Sequence, residues 1–415
     1  MNINCYVREF VGLWDNSSSL FPDLGKEITF PEKSRREEEM EQIVKNMRSN
    51  SDLKSGNGSG KKVLTQQIKQ NLVVFLKNAY NFESQEFSIL AETGFTKVTG
   101  EFMKMARRFD PEVRMDDIFQ AMRNLWIINS LQILMNEPVK VSPSTFAYSM
   151  LYPYTDNYLD NPSISKSEKI SFSARFSKRL RGEAVLAAND YENTIFELVS
   201  MIEYDWDRTL YPQVYESLVG IHDAQTKSIY LVNRADSLTS EELLSICIEK
   251  GGTSVLADGY LIKGNLSKEE EWFCFGFGTF LQFVDDIQDL QEDIDGSLET
   301  IFTYGAKTGR LEEFTNRSIS FSNMVMCNLD CFLSGVIMPM KGLMTKSVSF
   351  MINEAVGLNS RCFRESYVDQ FEQFSPFTYS FLKKRRGNLE PKRISLMKTI
   401  ESYVFEEEKL ELEVS

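Results

Sequence analysis

The sequence predicts an all-α protein, folded as one large helical bundle. From Val63 onward, apolar residues recur at the three- and four-residue spacing of amphipathic helices, and few stretches alternate with the period of a β-strand. Proline is rare, with 11 in 415 residues, and falls between the periodic stretches, where it marks helix boundaries. The chain shows no internal repeat and is long enough to bury a large core, which favours a single-domain bundle.

The individual helices are predicted from this periodicity together with start and stop signals. Ser142 precedes Pro143, and Ser240 precedes two glutamates, as at capped helix N-termini. The predicted helices are Val63–Tyr80, Val98–Arg108, Met115–Met135, Pro143–Tyr152, Ser167–Ala188, Asp190–Trp206, Gln213–Val232, Ser240–Lys263, Ser267–Asp295, Leu311–Gly335, Met340–Val356, Glu365–Gln373 and Pro391–Glu408.

The first sixty residues do not follow this pattern. Phe10 to Phe30 is compatible with short packed pieces, and Glu32 to Lys62 is charged and then rich in Ser, Gly and Asn, which indicates a mobile loop. The sequence therefore predicts an N-terminal extension over residues 1–60 and a helical domain over residues 61–415.

Composition excludes several classes of protein. The net charge of −14 argues against a nucleic-acid-binding surface, because phosphate-binding proteins are basic. The single histidine, His222, excludes metal sites with several histidines and argues against a Ser–His–Asp triad. The six cysteines form no CxxC pair, as expected of reduced residues in an intracellular protein.

No targeting or membrane segment is evident. The first ten residues lack a basic region followed by an apolar core. The most apolar stretch, Met324 to Met340, is interrupted by Asn328 and Asp330 and is too short to span a bilayer. We therefore expect a cytoplasmic protein without a transmembrane segment.

One acidic stretch stands out between Phe280 and Thr300. Apolar residues occupy one side of its predicted helix, and another side carries Gln282, Asp285, Asp286, Asp289, Glu292 and Asp293. The acids are Asp285, Asp286, Asp289, Glu292, Asp293, Asp295 and Glu299, and the stretch contains no basic residue. Like charges one turn apart cost about 0.2–0.5 kcal/mol per pair, and Mg²⁺, which prefers carboxylate oxygens, would relieve that repulsion. The alternative is a solvated acidic face without a ligand.

A second acidic pair, Asp156 and Asp160, lies four residues apart and shares one face if this segment is helical. Pro153 is expected to kink the incoming helix, and Pro162 to end it. The pair would then point from a helix end towards the mouth of the bundle. A capped surface turn is the alternative interpretation.

These stretches together resemble the class I isoprenoid synthase superfamily, which includes trans-prenyl diphosphate synthases and squalene and phytoene synthases. Gly278 to Asp293, GTFLQFVDDIQDLQED, is similar to the second aspartate-rich helix of that superfamily. Asp156 to Asp160, DNYLD, is similar to the first motif in its squalene synthase form. Ser245 to Val255 resembles the helix upstream of the second motif, whose glycine pair lets substrate approach closely. The resemblance covers roughly Pro143 to Gly296 and is closest to the squalene and phytoene synthase type.

The resemblance implies a terpenoid-synthase type bundle with a central cavity, and Mg²⁺ as cofactor. The implied metal ligands are Asp156, Asp160, Asp285, Asp286, Asp289 and Asp293, of which Asp156, Asp160, Asp285 and Asp289 carry the catalytic role. The implied substrate-binding residues are Gln282, Lys250, Lys227, Arg175 and Arg179.

The implied activity is that of a Mg²⁺-dependent enzyme that ionises prenyl diphosphates and condenses or cyclises them with release of pyrophosphate. The resemblance leaves open the chain length, the product, a loose contact with a membrane surface during product release, and whether the protein is a monomer or a homodimer. A catalytically silent member of the same fold, which binds a prenyl compound or scaffolds a partner, is the alternative. A Ca²⁺-binding EF-hand loop is excluded, since aligning Gly296 on its invariant glycine puts Gln291 and Phe302 at two required ligand positions.

Overall fold

The protein is described by a computed structural model that covers residues 2–51, 93–161, 163–232, 238–332 and 337–385, residue 335, and some residues between 74 and 89. Within this part of the chain all regular structure is helical and no strand occurs, which confirms the all-α prediction. The α-helices are α1 (Ile3–Asn16), α2 (Phe30–Ser51), α3 (Phe95–Phe109), α4 (Met115–Leu134), α5 (Pro143–Asp160), α6 (Lys166–Leu180), α7 (Asp190–Asp205), α8 (Pro212–Val232), α9 (Ser240–Lys263), α10 (Lys268–Gln288), α11 (Leu290–Asp295), α12 (Ile301–Thr308), α13 (Leu311–Met326), α14 (Ile337–Leu358) and α15 (Glu365–Glu372).

Helices α9 and α10 form the centre of the molecule. Helix α9 packs against α8, α1 and α4, and α10 packs against α13 and α14. The phenylalanines of α10 that helical spacing placed on one apolar side, Phe273, Phe277 and Phe280, are all buried, and so is Phe283. Phe283 contacts the rings of Trp14 and Phe321, so its role is packing.

The N-terminal segment differs from the expectation of a loop. Helix α2 runs as far as Ser51, so the charged residues from Glu32 are helical, while most of the remaining expected loop lies outside the described residues. Helix α1 is amphipathic and buries Phe10 and Trp14 against the centre of the molecule. Residues 3–16 therefore pack with the helical body.

Helix α5, which carries the first acidic pair, packs against α4 and α7. Its start is set by a capping box between Ser142 and Thr145, with Pro143 in the first turn. The predicted helix ended at Tyr152, but α5 continues through Pro153 to Asp160. The extension is what places Asp156 on a helix.

Other predicted boundaries shift for local reasons. Helix α6 ends at Leu180, short of the predicted Ala188, and Gly182 adopts φ +81°, which stops the helix. Helix α13 ends at Met326 and passes into a 3₁₀ turn, Cys327–Cys331. The predicted helix Pro391–Glu408 and most of Val63–Tyr80 lie outside the described residues. No helix in the described part of the chain is both long and apolar enough to cross a bilayer.

Candidate functional site: an acidic cleft around Lys250

The second acidic motif lines a cleft of about 160 Å³ between α9, α10 and the start of α12. Its lining combines five acidic side chains and several apolar ones with a single lysine. The lining residues are Leu238, Leu243, Ile246, Cys247, Lys250, Gln282, Asp285, Asp286, Asp289, Asp293, Leu298, Glu299 and Thr300. We call this set the acidic cleft.

Asp286 is the most enclosed acid of the cleft, only 8% exposed. Gln282, one turn earlier on α10, donates from its amide Nε2 to Asp286 Oδ1 at 2.7 Å. The Cys247 thiol of α9 donates to Asp286 Oδ2 at 3.3 Å. Both carboxylate oxygens are therefore held by neutral donors, so the charge of Asp286 is oriented but not cancelled by these contacts.

Lys250 supplies positive charge from α9. Burial acts to lower the pKa of Lys250, but the negative charges of Asp286, Asp285 and Asp156 outweigh it and leave this pKa above its usual value. Burial, opposed by Lys250, raises the pKa of Asp286 to about 6. Burial, with the charges of Asp286 and Asp289, raises the pKa of Asp293 to about 7. The cleft thus holds more negative charge than Lys250 balances.

The acidic helix is broken at Asp289, where a continuous helix Ser267–Asp295 was predicted. Asn359 causes the break, because its side chain takes the place of a helical hydrogen bond. Its Nδ2 donates to the carbonyl of Ile287 at 2.9 Å, and its Oδ1 accepts from the backbone N–H of Gln291 at 3.3 Å. Asp293 is thereby carried on a separate helix, α11, that turns along the cleft.

Two glycines bring α9 and α10 close together at the cleft. A Cβ on Gly251 would lie 2.5 Å from the Gly278 carbonyl oxygen and 2.6 Å from the Gln282 Cβ. A Cβ on Gly278 would lie 2.2 Å from the Gly251 carbonyl oxygen. Only glycine permits this approach. It places Lys250, next to Gly251, opposite the acids that follow Gly278.

Helix α4 contacts both acidic motifs and so links the first motif to the second. Gln120 of α4 donates from Nε2 to Asp156 Oδ2 at 3.0 Å. One turn later, Arg123 donates from Nη2 to Asp285 Oδ1 at 3.3 Å. The charge of Asp156 also acts on Lys250. Asp156 does not line the acidic cleft itself, but one face of α4 contacts both motifs.

Asp160 is the last residue of α5, and its side chain lies outside the described part of the structure. Its predicted role as a metal ligand stays a prediction.

Of the basic residues predicted to bind substrate, Lys250 lines the acidic cleft, and the other three form ion pairs elsewhere. Arg175 forms a two-point ion pair with the fully buried Glu192, at 2.7 and 2.9 Å. Arg179 pairs with Glu203, and Lys227 pairs with Glu249 at 2.5 Å. None of these three cations lines the acidic cleft. Arg175 and Arg179 connect α6 to α7, which is a structural arrangement.

One turn after Lys250 on α9, hydroxyl groups connect α9 to α5. The Tyr152 hydroxyl lies 2.5 Å from Ser254 Oγ and 3.1 Å from the Tyr148 hydroxyl. A cavity of about 30 Å³ beside these tyrosines is also lined by Phe176 and His222. This space holds about one water molecule.

The donor chemistry of the cleft fits Mg²⁺, which takes carboxylate oxygens and keeps several waters. Asp285, Asp286, Asp289 and Asp293 supply such oxygens, and their charge exceeds that of Lys250. Within the described residues, however, no three acidic, cysteine or histidine side chains converge as a metal site. Binding a cation would require these carboxylates to move towards one another.

Three polar residues of this region were not predicted from the sequence. Cys247, Gln120 and Arg123 contact Asp286, Asp156 and Asp285 respectively. Cys247 lies three residues before Lys250 on α9, so helical spacing could have indicated it. Gln120 and Arg123 lie on a different helix from the first motif, Gln120 being 36 residues before Asp156, so no local pattern indicates them.

Fold and site together define a class: an all-α protein with a lysine-centred acidic cleft at one end of its central helix pair. Comparison with known proteins does not narrow this class. Neither the profile of a known protein family nor a curated protein sequence matches the chain.

Proposed function

We propose that the protein is a Mg²⁺-dependent enzyme of isoprenoid metabolism, which ionises prenyl diphosphates and condenses or cyclises them with release of pyrophosphate. We also propose that its helices form a bundle of the terpenoid-synthase type. The observation that carries it is the acidic cleft, in which the motif residues Asp285, Asp286, Asp289 and Asp293 gather around Lys250. The contact of α4 with both Asp156 and Asp285 supports a joint role for the two motifs.

The acidic residues would hold the metal, and the metal would neutralise the departing pyrophosphate. Asp156, Asp160, Asp285 and Asp289 are the proposed catalytic ligands. Lys250 supplies a fixed positive charge for the diphosphate. Gln282 and Cys247 orient Asp286 through their hydrogen bonds.

The allylic end of the substrate needs a space from which water is excluded. The same cleft is also lined by the apolar residues Leu238, Leu243, Ile246 and Leu298, which would contact that end of the substrate. The cavity near Tyr152 is far smaller than a prenyl chain, so it would have to widen if the substrate chain bound there.

A catalytically silent protein of the same fold is the second candidate. Two observations favour it: the described acids do not converge on a metal position, and the cavity near Tyr152 is too small for a prenyl chain. Such a protein would bind a prenyl compound or a partner without releasing pyrophosphate.

Incubation with geranyl, farnesyl and geranylgeranyl diphosphates, with and without Mg²⁺, separates the two. We expect Mg²⁺-dependent release of pyrophosphate and an extractable product from at least one substrate. Asp285→Asn should lower turnover on the order of 100-fold or more, because it removes a charge that the substrate complex needs. Its stability without metal should change by less than about 1 kcal/mol, since the exposed pair with Arg123 contributes little.

Release of no pyrophosphate from any of the three substrates would favour the silent protein. Strong destabilisation by Asp285→Asn would show instead that this carboxylate is structural.

A further inference from the structure

Arg123 contacts the second acidic motif from outside the lining of the acidic cleft. Its guanidinium contacts Asp285 across the gap between α4 and α10, with a single hydrogen bond of 3.3 Å. The Arg123 side chain is 66% exposed and that of Asp285 is 42% exposed. A pair that is this open to solvent is weak and exchanges readily.

The pair is also the point at which α4 holds both motifs. Gln120, one turn before Arg123, donates to Asp156 at 3.0 Å. Arg123 therefore sits between the ends of α5 and α10, where a ligand that bridges the motifs would lie. A metal ion at Asp285 would compete directly with the guanidinium for the same carboxylate oxygen.

We infer that Arg123 exchanges partners: it neutralises Asp285 while the cleft is free of metal, and it binds the diphosphate group once a divalent cation has taken Asp285. The inference rests on the proposed function and adds a substrate-binding residue to it. Arginine suits the second position because its planar fork binds phosphate oxygens in pairs. Its long side chain lets the fork leave Asp285 without movement of α4.

The exchange predicts opposite effects of one substitution on two ligands. Arg123→Gln removes the internal competitor, so Mg²⁺ alone should bind the full-length protein up to about fivefold more tightly. The same variant loses a charged phosphate contact, so inorganic pyrophosphate with saturating Mg²⁺ should bind about 10-fold or more weakly. Isothermal titration calorimetry measures both.

Arg123→Lys should keep metal binding near the wild-type value but weaken pyrophosphate binding, because an ammonium cannot form the paired contact.

Arg181→Gln is the matched control. Arg181 forms a similar half-exposed pair with Asp223, at 3.1 Å, between α6 and α8. This variant should bind both ligands as the wild type does, and thermal melts should show that all variants are folded.

Unchanged binding of both ligands by Arg123→Gln, or tighter metal binding with full retention of pyrophosphate, would overturn the assignment of Arg123 to the diphosphate. If the wild-type protein binds no pyrophosphate in the presence of Mg²⁺, the proposed function itself is wrong, and the inference is wrong with it. The wild-type titration therefore distinguishes the two failures.

Discussion

Asp258 shows how one buried residue depends on its surroundings. It lies two helical turns after Lys250 on α9 and is fully buried. Its Oδ1 accepts from Asn124 Nδ2 at 3.0 Å, and its Oδ2 has no hydrogen-bond partner among the described residues. Burial raises the pKa of Asp258 well above its usual value, against the lowering effect of the hydrogen bond from Asn124.

The raised pKa of Asp258 predicts that the free energy of unfolding depends on pH. Between the unfolded and the folded pKa values the native state binds more protons than the unfolded state. The free energy of unfolding therefore falls as pH rises, by up to about 1.4 kcal/mol per pH unit. Asp258→Asn keeps the acceptor for Asn124 and cannot ionise. We expect this variant to be more stable than wild type at pH 7, with a difference that shrinks towards pH 4.

Urea unfolding curves from pH 4 to 8 measure this difference. A constant difference between Asp258→Asn and wild type over that range would contradict a neutral Asp258.

At the scale of helices, the contact between α9 and α10 decides the geometry of the acidic cleft. The two backbones meet at Gly251 and Gly278, where a side chain would collide with main-chain oxygen atoms that cannot move aside. The break at Asp289 is likewise set by another element, since Asn359 follows α14 and reaches the end of α10. Helical propensity alone favoured a continuous acidic helix.

Gly278→Ala tests whether this close contact matters. We expect the free energy of unfolding to fall by about 1–3 kcal/mol, because the added methyl group forces α9 and α10 apart. Pyrophosphate binding with Mg²⁺ should weaken as well, since Lys250 and Asp286 separate. Chemical denaturation and calorimetry measure the two effects.

Gly12→Ala is the matched control for this substitution, because a Cβ on Gly12 of α1 meets nothing within 4 Å. It should stabilise the protein by about 0.5–1 kcal/mol, as expected for a helical glycine with free space. Equal effects of the two substitutions would show that the contact between α9 and α10 is not tight.

At the scale of the whole molecule, the N-terminal helix belongs to the central packing. The ring of Phe10 lies 4.9 Å from that of Trp272 and 5.3 Å from that of Phe275, between centroids. Tyr6 and Tyr260 both donate to the buried carboxylate of Glu271 and so join α1, α9 and α10. Residues 3–16 are thus part of the support behind the acidic cleft.

Phe10→Ala should therefore destabilise the whole protein by about 3–5 kcal/mol, as expected when a fully buried ring is removed. Leu20→Ala, at a side chain that is 77% exposed, is the control and should change stability by less than about 0.5 kcal/mol. Urea unfolding measures both. A loss below 1 kcal/mol for Phe10→Ala would mean that α1 is only loosely attached.

Part of the fold and of the candidate site could be predicted because the relevant signals are local. Helical periodicity and capping residues predicted α3, α4, α7, α9 and α15 nearly to their ends. The spacing of Gln282, Asp285, Asp286 and Asp289 placed them on one side of a helix, and the structure gathers them in one cleft. The resemblance implied Arg175 and Arg179 as substrate-binding residues, because the sequence does not reveal their glutamate partners on α7.

The sequence by itself determined the helical class, the buried aromatic side of α10 and the acidic character of the end of α10. Each of these features depends on residues that lie within a few helical turns of one another in the chain. What only the tertiary structure decided is which distant groups meet that acidic end. Asn359 breaks the helix, Cys247 and Lys250 face Asp286, and Arg123 pairs with Asp285. These contacts join residues far apart in the chain, and their energies depend on burial and on the packing of whole helices, which no local pattern encodes.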